Sequence, residues 1–290
     1  MTQIPSRTGK VAGVDMSKWQ WGPVEDPQID WTAVAAQGVK FAILRGGLGE
    51  HYEDPFFERG VNEAREAGIN VGGYFVFDPY INVGVDDQLN NVRKIVAGLD
   101  IKMGRGDFEL PWVGRCTVQQ LRNNVYEYCM GLREIFPSVG LHADAVPQPS
   151  AGICTAAWWW NTPIAGRVLP KDPPAFGSNR PWSDNDNPDI RAKGWSLWFA
   201  SYGGNNGLIP GSPPVLPRGW TEWDIWQYTD VGRLEGVDSS VDFNLMREEL
   251  FDAIWGGVPV TPPAPVDPPV VVEPGDEPER GLPWGMIYKV

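Results

Sequence analysis

Through the first half of the chain, short apolar runs rich in β-branched residues alternate with amphipathic segments. Strands are predicted at VAGVD (residues 11–15), VKFAILR (39–45) and INVGGYFVF (69–77). Between them, DWTAVAAQG (30–38) and DPFFERGVNEAREAG (54–68) place apolar residues at helical spacing, and each ends on a glycine suited to close a helix. Such alternation means βα units and a parallel sheet. A third helix is predicted over residues 85–97. A fourth starts at Thr117, whose hydroxyl can cap the helix while Gln120 reaches back. Val118, Leu121, Val125, Tyr128, Leu132 and Ile135 then recur with its period.

Beyond residue 137 the rhythm changes. Strand candidates near 138–142, 152–160, 195–202 and 223–229 are separated by long Pro/Gly/Asn-rich loops that leave room for few helices. An amphipathic stretch over 242–255 closes the pattern. From 259 to 290 there are nine prolines with acidic residues and no apolar period, ending in LPWGMIY, the composition of an extended polyproline-II tail. The chain therefore divides into a folded unit over 1–256 and a proline-rich tail over 257–290, and no internal repeat is found.

At 290 residues the chain is long enough for one large core, the size of a single α/β barrel. A formal charge of −13 with no basic run excludes a nucleic-acid partner. No segment reaches the ~18 apolar residues of a membrane span, and the N-terminus lacks the apolar core of a signal peptide. Synthesis in the cytoplasm is thus expected, with export by some other route if the protein acts outside. Three cysteines, Cys116, Cys129 and Cys154, show no metal-type spacing and read as free thiols; His51 and His142 suggest no metal site either.

Candidate chemistry starts with Asp15, which ends the first strand in GVDMSKWQ. In a βα barrel that end faces the active site, although Asp before Ser also makes turns and caps. Tyr74 in GGYFVF fits a sugar cleft or a core. Fifteen tryptophans are far more than a core of this length needs, and exposed indoles make sugar-stacking platforms, yet each one taken singly is as readily explained by packing.

Taken together, GVDMSKWQ, IDW (29–31), VKFAILRGGLG (39–49), EAGINVGGYFVF, AAWWWN (156–161), LWFASYG (197–203), WDIWQYTD and VDFN (241–244) follow the order seen in glycoside hydrolase family 25. The chain resembles the muramidases of that family, often found as phage lysins, over about residues 11–250. The resemblance implies a flattened, irregular, TIM-like βα barrel that cleaves the β-1,4 bond between N-acetylmuramic acid and N-acetylglucosamine in peptidoglycan, without metal or cofactor. It also implies catalytic roles for Asp15, Asp107, Glu109 and Asp242, and sugar contacts from Tyr74, Trp159, Trp198, Tyr202 and Trp226.

One motif departs from the family pattern, which runs Leu-Pro-x-Val-Leu-Asp-x-Glu with the glutamate as general acid. If residues 110–113 are the strand, the carboxylate positions fall on residues 114–117 and the acid is lost. If Asp107-Phe108-Glu109 is the motif, the loop to Thr117 has the expected length, but the strand becomes KMGRG (102–106). Burying Lys102 and Arg105 in a barrel wall favours the first register. Two readings follow: a wall-cleaving muramidase acting at the bacterial cell wall, or an inactive virion structural or adsorption protein on the same barrel, its tail docking a virion partner.

Overall fold

The computed structural model describes residues 4–22, 28–80, 82–111, 115–136, 151–156, 196–203, 205–211, 214–217 and 220–256. Nine strands are present: β1 (Lys10–Met16), β2 (Phe41–Leu48), β3 (Tyr52–Glu53), β4 (Asn70–Val76), β5 (Gly104–Phe108), β6 (Ala151–Ala156), β7 (Ser196–Ala200), β8 (Ile225–Gly232) and β9 (Val241–Arg247). The sheet runs β1-β9-β8-β7-β6-β5-β4-β2-β3, and pairing of β1 with β2 closes it, so eight strands form a barrel and β3 hangs from β2 as a short hairpin. Seven barrel strands are parallel; β9 runs antiparallel to both β1 and β8, which makes the barrel irregular.

The helices are α1 (Trp31–Ala36), α2 (Phe57–Glu66), α3 (Val85–Val96), α4 (Val118–Ile135) and α5 (Glu248–Trp255). α1 to α4 lie where the helical periods of the sequence put them. Asp30 caps α1 by accepting from the Ala33 amide, and α2 gives way to Gly68 at φ +78°. At α4 the capping box forms as expected, with the Gln120 amide on Thr117 Oγ1 (3.2 Å) and the Thr117 amide on Gln120 Oε1 (2.9 Å).

Alternation along each strand sorts the buried residues into two layers. Val14, Leu44, Phe75, Phe108, Ile153, Phe199, Trp226 and Phe243 face outward into the main core, which includes α1 to α4. Inward, Phe41, Ile43, Met103, Cys154, Trp198, Ile225 and Met246 fill the barrel, and Leu250, Ile254 and Trp255 of α5 plug its N-terminal end. Burial of each such side chain contributes about 1.5–3 kcal/mol. Because one end is plugged, chemistry is confined to the other, where the parallel strands end.

Two expectations are corrected. Residues 242–255 are not one amphipathic stretch. Asp242, Asn244 and Met246 point inward while Val241, Phe243 and Leu245 point outward, so the first half is a strand and only 248–255 is helical. The strand at the Asp-x-Glu motif is Gly104–Phe108, not residues 110–113, of which 112 and 113 lie outside the described residues. The predicted strand at 138–142, the end of that at 152–160, and the tail over 257–290 also lie outside them.

Candidate active site

Asp15 and Asp242 stand opposite each other in the antiparallel β1–β9 pair. Gln227 Nε2, from β8, donates to Asp15 Oδ2 (2.8 Å) and to Asp242 Oδ2 (3.1 Å), and Asn244 Nδ2 donates to Asp15 Oδ2 (2.6 Å). Burial pushes the Asp15 carboxyl up to about 6 against the opposing pull of those hydrogen bonds. For Asp242, burial and then the charge of Asp15 raise the pKa well above the carboxylate range.

On the other side of the mouth, Asp107 is the penultimate residue of β5 and Glu109 follows the strand's last residue, Phe108; both carboxylates are buried. One oxygen of each and the Cys154 sulfur lie within 4.8 Å of one another, because β5 and β6 pair Asp107 with Cys154. Among the described residues Asp107 Oδ1, which is buried, has no hydrogen-bond partner. Its carboxyl is driven well above the ordinary range by burial, then by Glu109 and Asp15, with Arg45 pulling it down. Burial also raises the Cys154 thiol, and Asp107 and Glu109 add to the rise, so this sulfur is no nucleophile at neutral pH. Two carboxylates and a thiol would suit a borderline-soft divalent cation. No sequence spacing signals the set, which only the strand register assembles.

Arg45, on β2, is fixed by Asp54 (Nε to Oδ2, 2.9 Å), and the same oxygen accepts from the Lys18 amide (2.9 Å). One buried carboxylate thus ties the segment after β1 to the mouth. Neither Arg45 nor Asp54 was singled out from the sequence, nor were Gln227 and Asn244, though both sit inside the motifs quoted above. Asn244 was within reach of a period-two reading from Asp242.

The aromatic candidates separate. Tyr74 points inward and meets Trp198 edge-on at 5.8 Å, and Trp198 donates from Nε1 to Asn244 Oδ1 (2.8 Å). Trp198 is almost wholly buried, so it supports the acid cluster from below. Tyr202 reaches the cluster from the end of β7, its hydroxyl donating to Gln227 Oε1 (2.5 Å). Trp226 is corrected: lying between inward Ile225 and Gln227, it faces outward, packs on Trp223 and Tyr228, and donates to the Ser201 carbonyl (2.8 Å). It cannot line the mouth. Trp159 lies outside the described residues. A cavity of about 300 Å³ opens near the N-terminal end of the barrel beside Lys10, Trp223 and Arg247, away from every carboxylate above. Arg247 there is already paired with Glu222.

A βα barrel whose strand ends gather three buried carboxylates and the half-buried Asp242 belongs to the class of folds that supports two-carboxylate chemistry at its C-terminal mouth. Within that class the chain is similar to the glycosyl hydrolases family 25, whose profile matches residues 14–131, from β1 into α4. It is 27% identical to Lysozyme M1 of Streptomyces globisporus over 243 residues, covering 83% of this chain and 69% of that protein. To the uncharacterized protein YegX of Escherichia coli (strain K12) it is 26% identical over 268 residues, covering 87% and 76%. Among solved structures, the bacterial lysozyme from Streptomyces coelicolor superposes with a TM-score of 0.60 at 24% identity, over 86% of this chain and 98% of that one. The catalytic domain of endolysin ply40 from bacteriophage P40 of Listeria monocytogenes gives 0.59 at 19%, over 87% and 100%. Those two structures establish the shared fold.

Proposed function

We propose that the chain is a peptidoglycan N-acetylmuramidase, with Glu109 as the general acid that protonates the leaving glycosidic oxygen. The observation that carries this reading is the register of β5, which brings Asp107 and Glu109 to the mouth that also holds Asp15 and Asp242. Water is largely excluded there, so a carboxylic acid can hold its proton until the leaving oxygen arrives. Asp242, its carboxyl raised by burial and by Asp15, is suited to orient the substrate's N-acetyl group as the internal nucleophile, and Asp15 to balance charge on the oxocarbenium-like centre. The relationship to a named lysozyme and the fold of a phage endolysin support a wall-lytic enzyme, phage-encoded in this reading and acting at the bacterial cell wall. Among the described residues no helix is long and apolar enough to cross a membrane.

The competing reading, an inactive virion protein, drew its main support from a displaced Asp-x-Glu. That support falls away with β5 at Gly104–Phe108. The proline-rich tail retains a proposed part as a tether to a partner. Digestion of purified cell walls, followed by borohydride reduction and mass analysis of the fragments, tests the activity. New reducing ends on N-acetylmuramic acid are expected. Ends on N-acetylglucosamine, or no fragments at all, would sink the proposal.

A further inference from the structure

The segment after β1 is a single 3-10 turn, Lys18–Gln20, held at three points. The Ser17 amide donates to Gln20 Oε1 (2.8 Å), Gln20 Nε2 donates to the Ser240 carbonyl (3.2 Å), and the Lys18 amide is bound by Asp54. These anchors join the turn to β2–β3 on one side and to the start of β9 on the other, three residues after Asp15 and two before Asp242. On this fixed turn Trp19 is 54% exposed, the most open tryptophan among the described residues. An indole this open on an anchored turn presents ring surface to solvent.

The residues around it form a continuous path back to the acids. Lys18 Nζ lies 4.7 Å from the Trp19 ring centre and 5.5 Å from that of Tyr52. Arg45 lies 5.3 Å over the other part of that path, on the Tyr52 ring, and its Nη2 donates to Tyr52 Oη (3.3 Å). Arg45 in turn acts electrostatically on Asp107. In a chain of net charge −13, this places cations and aromatic faces side by side at the rim of an acidic mouth. Flat aromatic surface suits the apolar face of a sugar ring, and an adjacent ammonium suits a carboxylate.

We propose that Trp19, Lys18 and Tyr52 form a rim subsite for an acidic amino sugar of the glycan strand, the sugar stacking on Trp19 while Lys18 pairs with its lactyl or stem-peptide carboxylate. The inference rests on the muramidase reading and adds to it a contact that selects carboxylate-bearing glycan over neutral N-acetylglucosamine oligomers.

The test measures binding by calorimetry in a Glu109→Gln background, which holds substrate uncut, using a soluble peptidoglycan fragment and an N-acetylglucosamine oligomer of equal length. Trp19→Ala should weaken both ligands about five- to tenfold, with Trp19→Phe restoring most of the loss. Lys18→Met, which keeps the apolar stem, should weaken only the peptidoglycan fragment, by roughly two- to fivefold. In the active chain Trp19→Ala should raise KM and leave kcat unchanged. Unaltered melting temperatures would show that these surface changes leave the fold intact. If the Glu109→Gln parent binds the fragment and Trp19→Ala binds it equally well, the subsite is wrong while the muramidase reading stands. If the parent and the active chain bind no glycan, both fall together.

Discussion

Asp15 and Asp242 face each other across two strands and accept hydrogen bonds from the same nitrogen, Gln227 Nε2, at 2.8 and 3.1 Å. Two carboxyl groups this close and this buried cannot both ionise cheaply. Burial raises Asp15 from 3.8 to about 6, so between those values the folded state binds more protons than the unfolded chain. Stability contributed by this group therefore falls as pH rises through that window. Asp15→Asn keeps an oxygen to accept from Gln227 and Asn244 and removes the buried charge. The variant should be more stable than wild type above pH 6, by about 1–3 kcal/mol, and match it near pH 4. It should also lose activity, as expected where function stores instability. Thermal melts across pH check the first outcome; a variant less stable at pH 7 would contradict it.

Glu109→Gln hardly changes shape but cannot donate a proton. Muralytic turnover should fall about 10²–10⁴-fold with binding retained and the melting temperature nearly unchanged. Activity at the wild-type level would remove Glu109 from the mechanism.

Asp54 accepts from both Arg45 Nε and the Lys18 amide, so it couples the rim to the acids. Asp54→Ala removes the carboxylate paired with a buried guanidinium and should cost about 3–5 kcal/mol. A cost below about 1 kcal/mol in urea melts would show that Arg45 finds another acceptor.

Deleting residues 257–290 should leave the melting temperature of the barrel nearly unchanged, since a polyproline-II segment buries almost no apolar surface of its own. A large fall would show that the tail packs on the folded unit.

The parts of the fold legible in the sequence were those with a single period: the strands at 11–15, 39–45 and 69–77 and the capped helix α4. The eight-strand closure and the acidic mouth were legible only through the family resemblance. β9 was misread although Val241 to Leu245 alternate between apolar and polar, because Leu245 and Met246 run on without a break into the helical period of α5. β5 was misread for a different reason. Its outward positions are Gly104 and Gly106, where an added Cβ would lie 2.1 Å from the Phe136 ring and 3.0 Å from Leu132, side chains at the end of α4. The apolar surface a wall strand needs is supplied by the helix, and the strand keeps glycine so that the helix can approach. Lys102 is not in the wall at all, since it precedes the strand and pairs with Asp100 at 2.6 Å.

That leaves Arg105, the residue whose burial argued most strongly against β5. It points into the barrel, fully buried, and donates from Nη2 to Ser196 Oγ on β7 (3.2 Å). Burial lowers its pKa to about 10, offset by the charge of Asp224, which itself accepts from the Leu197 amide (3.0 Å). The guanidinium also occupies the space over Gly152, where a Cβ would meet Nη1 at 2.7 Å. Arginine is therefore both filler and counter-charge beneath the acids. Arg105→Ala should open a cavity and leave Asp224 without that balance, costing about 3–5 kcal/mol. Arg105→Met fills much of the volume, so the double variant Arg105→Met with Asp224→Asn should recover most of the loss. Urea melts of the two single variants and the double decide it. If the double variant is no more stable than Arg105→Met alone, the charge pairing contributes nothing, and the arginine is retained for its shape.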